Sequence, residues 1–371
     1  MVKNRILLGI WILLVCSGTI VLNNYGMLII LVLSIIIPIL DVFFARLSAT
    51  GIEAEITSVT SAFKGDKLKY TLKVENSRIT GCTHGKAVIE IKNLLTGSAE
   101  TECVSFSVNG KSVKKFENEI NTDYCGKIQI ELKELISEDF TGIYGKHKKC
   151  HNRTYSLVMP DTFPVDIEIG VGNQCNINSD EFSMYKPGND PSETFAIREY
   201  RPGDKIKNIH WKLSEKLDEI TVRELGLPVN NSVLLILDSL KTSEKDNWEK
   251  VMDNLGECVI SVAQVLSFQN IPFTLSWHDM ESDQMKQNEI LNNNDLAEHI
   301  SDVLSASPFE GKNDILEEYE IDIGYAEFAH IIIVTGNEGS DKVDSYDERN
   351  ITRLICNESD NLSEKFMYVE V

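Results

Sequence analysis

Two apolar runs open the chain. Ile6 to Leu22 is almost wholly apolar, the polar stretch Asn23-Asn24-Tyr25-Gly26 interrupts, and Met27 to Phe44 is apolar again apart from Ser34, Pro38 and Asp41. Each run is ~17–18 residues, at the short end of what a helix needs to cross the ~30 Å hydrocarbon core. Backbone groups in lipid must pair within their own segment, so the spacing predicts two helices, about residues 6–22 and 27–44, joined by a tight turn. Lys3 and Arg5 precede the first run, Arg46 follows the second, and the turn carries no charge. The positive-inside rule then places both ends, and everything after Arg46, in the cytoplasm of a two-pass inner-membrane protein. The rival reading is a cleaved signal peptide ending near Thr19. Val15-Cys16-Ser17-Gly18 is a poor cleavage site, and the second run would be left unexplained.

From 50 to 165 the pattern changes to period two. Leu68, Tyr70, Leu72 and Val74 alternate with polar residues, as a half-buried strand requires. Val88 to Ile91, Val104 to Val108 and Ile128 to Leu132 repeat the pattern. Lys64-Gly65-Asp66 reads as a turn, Asn109-Gly110 as a hairpin signal, and Tyr155 to Pro160 as an edge strand. Asp139-Phe140-Thr141-Gly142-Ile143-Tyr144 reads as a chain reversal with aromatic anchors. Short strands at this spacing predict a β-sandwich module over 50–165.

Residues 166–231 break the periodicity. Gly170 to Gly188 reads as a loop. From 232 to 371 strands and helices alternate. Val233 to Leu237 is a continuous apolar run, as in a strand buried on both faces. Ser243 to Asp246 resembles a capping box. Trp248, Val251, Met252, Leu255, Val259, Val262, Ala263 and Leu266 follow helical spacing. Ile271 to Trp277, His330 to Val334 and Phe366 to Val371 read as strands, and Asp295 to Leu304 and Asp347 to Cys356 as helices. His278, Asp279 and Glu281 read as a solvated loop. This alternation predicts an α/β domain with a mainly parallel sheet and helices on both faces.

Charge changes the picture of what binds. The chain of 371 residues carries 36 Lys and Arg against 57 Asp and Glu, a formal charge of −21. That argues against wholesale binding to nucleic acid or to anionic lipid headgroups. The eight cysteines form no C-x-x-C pair and none sits at zinc spacing to a histidine.

The densest chemistry lies between Phe195 and Arg223. Arg198, Glu199, Tyr200, Arg201, Pro202, Gly203 and Asp204 are contiguous, followed by His210, Trp211, Lys212 and Arg223. Pro202 and Gly203 make a turn. Two readings of this stretch stand. Its cations and turn amides are able to hold an anion or a partner. Alternatively, Arg198, Arg201 and Arg223 pair with Glu199, Asp204 and Glu224, and Trp211 fills an apolar gap. His210 has no identifiable nucleophile or metal partner, so no catalytic residue is assigned.

With those residues in view, the chain resembles the bacterial membrane proteins catalogued as domain of unknown function 58. The match rests on Arg198-Glu-Tyr-Arg-Pro-Gly-Asp204, on Ile209-His-Trp-Lys212 with Ser214, and on Val222-Arg-Glu224. The layout around it agrees: two spans, a β module ending near Asp139 to Tyr144, the motif, and a C-terminal domain similar to the von Willebrand factor A fold. The resemblance implies a membrane-anchored scaffold or interaction protein, partner of a MoxR-type AAA+ ATPase in protein assembly or envelope homeostasis. In the von Willebrand pattern Asp-x-Ser-x-Ser after the first strand holds a divalent cation. This chain reads Asp238-Ser-Leu-Lys-Thr242, where Leu240 supplies no oxygen and Lys241 adds a like charge, so Asp238 and Thr242 are the remains of a degenerate metal site. No other cofactor is implied. Two further functions compete: a metal-dependent hydrolase using Asp238, His210 and Asp204, and a sensor of an anionic ligand at the cationic turn.

Overall fold

The computed structural model describes residues 2–22, 25–168, 190–201, 203–226, 230–241, 247–279, 282–311, 314–324, 328–337, 351–357 and 367–370. The chain divides into two compact units, Met1–Pro160 and Asp161–Val371.

The N-terminal unit begins with α1 (Val2–Leu22) and α2 (Tyr25–Ala49), which pack on each other. Both are long and apolar enough to span a membrane, and their apolar side chains point outward. A water-soluble helix pair would bury that surface. Trp11 Nε1 donates to Ser34 Oγ between them (3.2 Å), and Ser34 in turn donates to the Ile30 carbonyl (2.8 Å). These bonds give the polar atoms partners inside an apolar span.

Eight strands follow: β1 (Ile52–Ser58), β2 (Ser61–Phe63), β3 (Lys67–Asn76), β4 (Cys82–Asn93), β5 (Ala99–Val108), β6 (Ser112–Asn121), β7 (Gly126–Glu138) and β8 (Gly145–Met159). They form a three-stranded sheet, β1-β3-β6, and a five-stranded sheet, β2-β8-β7-β4-β5. Inward positions from both sheets share one core: Leu68, Tyr70 and Leu72 from β3, Ile89 from β4, Phe106 from β5, Ile130 and Leu132 from β7. The Tyr70 hydroxyl donates to Glu102 (2.6 Å), and burial, helped by this bond, raises its pKa.

Two expectations for this unit are corrected. Asn109-Gly110 does not close a hairpin, because β5 and β6 lie in different sheets. Lys111 there has φ +52 and its N–H donates to the Arg78 carbonyl (2.7 Å), which carries the chain across. The β4/β5 hairpin turns instead at Leu94–Ser98, where Asn93 N–H meets the Ser98 carbonyl (2.9 Å). Nor does the end of β8 lie at an edge. Ser61–Phe63 pairs with Leu157–Met159 in parallel and covers it.

In the C-terminal unit, β9 (Val165–Glu168) pairs with a C-terminal strand, so the expected module boundary at 165 moves back to Pro160. Then come β10 (Asp190–Glu199), α3 (Trp211–Leu217), β11 (Thr221–Gly226), β12 (Asn230–Asp238), α4 (Trp248–Phe268), β13 (Phe273–Asp279), β14 (Gln284–Ile290), α5 (Asn293–Val303), α6 (Ile315–Asp322), β15 (Phe328–Thr335), β16 (Ile351–Ile355) and β17 (Met367–Glu370). The main sheet runs β14-β13-β12-β15-β16; β14 is antiparallel and the rest are parallel. Leu234, Ile236, Ile331 and Ile333 pack with α6 on one face. The alternate residues of β12 and β15 therefore face the other side, where α4 lies against both strands. α4 is apolar and long enough to span a membrane, yet it is buried within this unit.

The sequence pattern missed several elements here. Residues 351–355, expected as the end of a helix, form β16 beside β15. The expected solvated loop after β13 is a hairpin into β14, with His278 buried and stacked on Phe309 at 4.0 Å. Glu281 lies outside the described residues, as do the Gly170–Gly188 loop and the Ser243–Asp246 capping box. The observed cap of α4 is Asn247, whose side chain accepts the Lys250 N–H (3.3 Å). β17, expected as a final strand of the α/β sheet, pairs with β9 instead.

Candidate functional site

The Arg198–Arg223 segment folds as an antiparallel ribbon with an elaborated tip. β10 and β11 set Ile197 opposite Arg223 and Arg198 opposite Val222. At the tip Gly203 takes φ +113, a value that side chains rarely adopt. The Arg201 carbonyl accepts the Asp204 N–H (3.0 Å), and Asp204 Oδ2 accepts the Arg201 N–H (2.7 Å). Pro202 lies outside the described residues.

Arg198 ties this tip to the ribbon. Its two terminal nitrogens donate to the two oxygens of Asp204, both at 2.8 Å, and Nε donates to Glu224 (2.6 Å). A bidentate guanidinium–carboxylate pair with a second acceptor is a strong, directional contact. It raises the Arg198 pKa, and it pulls the Asp204 carboxyl down to about 2, helped by the Arg201 N–H. Of the pairings expected from sequence, Arg198 with Asp204 and Glu224 is present. Arg201, Arg223 and Lys212 are exposed, as is Glu199.

His210 is a helix cap. Its Nδ1 accepts the Leu213 N–H (3.2 Å) at the start of α3, so the ring proton sits on Nε2. Its backbone N–H donates to the Thr221 carbonyl (2.9 Å). Ser214 completes this junction: its Oγ accepts the Thr221 N–H (2.9 Å) and lies 3.1 Å from Thr221 Oγ1. These bonds fix α3 against β11.

Trp211 does not fill a gap. It is 64% exposed, and Ile206 is 71% exposed, with Leu217, Ile220 and Ile197 also turned outward. Arg201, Lys205, Lys207 and Lys212 in the same segment are exposed too, as are Glu215, Asp218 and Glu219. Reading hydrophobicity as burial hides such a surface, because Ile206, Leu217 and Ile220 look like core residues in isolation. The signal in the sequence was Trp211 flanked by His210 and Lys212, with no apolar residue within one position.

Asp238 occupies the carboxyl end of β12, where ligands bind on such sheets. Its oxygens are engaged. Oδ1 accepts the Leu240 N–H (3.0 Å) and Oδ2 accepts the Thr335 hydroxyl (2.6 Å). Leu240 is itself held in a bridge to Phe309, with Lys241 N–H on the Phe309 carbonyl (2.8 Å). Burial pushes the Asp238 pKa up to about 6, against the lowering effect of those two hydrogen bonds. A hard cation needs several oxygen ligands, and Leu240 brings none; Asp238 has one donor on each oxygen, which leaves each a second lone pair. Thr242 lies outside the described residues, and among the described residues no group of three or more His, Cys, Asp or Glu is placed to hold a metal.

No family model matches the chain, and no curated protein does. Among solved structures, the CARDB domain of a Pyrococcus furiosus protein, in complex with di-metal ions, is similar over 29% of this chain and 87% of its own, at 15% identity and TM-score 0.22. A β-glucosidase from Listeria innocua is similar over 29% of this chain and 16% of its own, at 7% identity and TM-score 0.19. An alkylpurine DNA glycosylase from Pseudomonas fluorescens is similar over 34% of this chain and 39% of its own, at 12% identity and TM-score 0.19. Likeness at this level carries no argument about function.

Proposed function

We propose that this is a membrane-tethered cytoplasmic interaction protein, and that the Arg198–Arg223 segment is its partner-binding face. The observation behind this is how the segment divides its residues. Arg198, Asp204, Glu224, His210 and Ser214 hold its shape, while Trp211, Ile206 and the segment's other cations are exposed. An exposed Trp with Arg and aliphatic neighbours on a rigid scaffold has the composition of an interface hot spot. The three residues of the hydrolase reading, Asp204, His210 and Asp238, are all held by structural hydrogen bonds. The resemblance to domain of unknown function 58 supports a β-sandwich for the first module and a von Willebrand factor A-like fold for the last domain. It also supports a MoxR-type AAA+ ATPase as the partner.

The test is affinity capture of the full chain from solubilised membranes, with wild type beside Trp211→Ala. The expected result is an AAA+ ATPase recovered with the wild type and depleted at least about tenfold by the substitution, the loss of one hot spot. Equal recovery by both proteins, or recovery of no partner, overturns the assignment.

A further inference from the structure

The turn Asp139–Tyr144 is built onto the helix pair. Asn4 Nδ2 donates to the Thr141 carbonyl (3.0 Å) and Arg5 Nε to the Ile143 carbonyl (2.9 Å). Asp41 in α2 accepts the N–H of Thr141 (3.0 Å) and more weakly that of Phe140 (3.4 Å), and the Arg46 guanidinium lies 5.0 Å over the Tyr144 ring. Inside the turn, the buried Asp139 carboxylate accepts the Thr141 hydroxyl (2.5 Å) and the Tyr144 N–H (2.9 Å). Gly142 has φ +67, and an added Cβ would stand 2.5 Å from Asn4 Nδ2. The turn is therefore stiff and fixed at the level of Asn4 and Asp41.

That level sits low on the helices. From Tyr25 to Asp41 the helical rise is ~24 Å, less than the ~30 Å of an average hydrocarbon core. With Tyr25 at one face of the core, Asp41 lies about 6 Å short of the other, so the turn it holds sits just inside the boundary between acyl chains and headgroups. Phe140, on this same turn, is 76% exposed, with His84 edge-on at 5.7 Å. An exposed aromatic ring on a rigid mount at that depth, beside Arg5 and Arg46, has the makeup of an interfacial anchor.

We infer that Phe140 inserts into the headgroup–acyl boundary of the bilayer crossed by α1 and α2, so that the β module rests on phospholipid at this end. The occupant is lipid, because the turn is held at membrane depth by the spanning helices themselves. This rests on the membrane-anchored part of the reading above and is independent of any protein partner.

The experiment replaces Phe140, Phe63 or Leu33 in the full chain with p-benzoylphenylalanine, in vesicles of phosphatidylethanolamine and phosphatidylglycerol carrying a labelled acyl chain. Phe63 is 69% exposed in β2, near the Ser58 end of β1 and away from the end that follows α2; Leu33 lies within α2. On irradiation, position 140 is expected to take up lipid label at about the level of position 33, at least about fivefold above position 63. Label at 33 with position 140 no higher than 63 overturns the inference and leaves the membrane anchor standing. No label at 33 overturns the anchor, and the inference with it.

Discussion

Asp238 is the buried acid whose environment makes the most quantitative demand. Its pKa rises from 3.8 to about 6, chiefly through burial. An acid with a raised folded pKa binds its proton more tightly folded than unfolded. Its contribution to stability is thus greatest below pH 4, falls as pH rises through the window from about 4 to 6, and is gone above it. That rise amounts to about 3 kcal/mol in total. Roughly 1.3 kcal/mol of this falls between pH 5 and pH 7 by the same linkage relation. Buried His278 and His330 have lowered pKa values and act with the opposite sign, losing stability as pH falls through their range. The wild-type curve alone therefore mixes the two. Asp238→Asn separates them. The Asn carbonyl is able to accept the Leu240 N–H, and its amide to donate to Thr335 Oγ1, whose hydroxyl then turns to the Asn337 carbonyl already 3.4 Å away. The assay is urea unfolding of the full chain in detergent at pH 5, 6 and 7, followed by the fluorescence of Trp248 and Trp277, both buried in the C-terminal unit. Wild-type stability minus variant stability should fall by roughly 1.3 kcal/mol from pH 5 to pH 7. A difference independent of pH, or one that rises with pH, would refute the burial argument.

Three further outcomes are expected. Asp204, held at about 2, stabilises the ribbon tip above pH 4 and loses this as pH falls toward 2; amide exchange at Tyr200 and His210, whose N–H groups bond to Ile220 and Thr221 across the ribbon, should quicken in that window, and Asp204→Asn should remove the acid dependence. Gly142→Ala should cost the N-terminal unit about 1–2 kcal/mol more than Gly65→Ala in urea unfolding, because both glycines have positive φ but a Cβ at Gly65 meets nothing within 4 Å. Millimolar magnesium or manganese should leave the melting temperature of the full chain unchanged, since Leu240 brings no oxygen ligand beside Asp238 and Lys241 adds a like charge; a rise of several degrees would restore the cation site.

Much of the architecture was legible because burial imposes simple periods. α1 and α2 follow from two uninterrupted apolar runs, β3 from strict alternation at Leu68 to Val74, and β12 from a run buried on both faces. The errors came where a local signal met a tertiary decision. Asn109-Gly110 favours a tight turn but does not say whether its flanking strands join the same sheet. Ile351 to Ile355 carries both helical and strand periods over five residues, and the open edge of β15 settles it. β14 reads as polar because Lys286, Gln287, Asn288 and Glu289 stand between its two buried residues, Met285 and Ile290, in a strand only seven residues long.

The Arg198–Arg223 segment was harder for a different reason. A list of seven cations and five acids admits many pairings, and composition does not choose among them. The choice is made by the ribbon, which brings Asp204 and Glu224 to the same guanidinium from opposite directions along the chain. Once Arg198 is committed there, Arg201 and Arg223 have no comparable claim on either acid, and both stay exposed, as does Lys212. The same geometry accounts for Trp211. His210 and Ser214 fasten α3 to β11 through polar bonds, so the helix has no need of an apolar anchor and its Trp is left facing outward. Buried Val222 and half-buried Leu213 apart, the segment is held by its polar residues and turns Trp211, Ile206, Leu217 and Ile220 outward, which inverts the usual division of a folded chain.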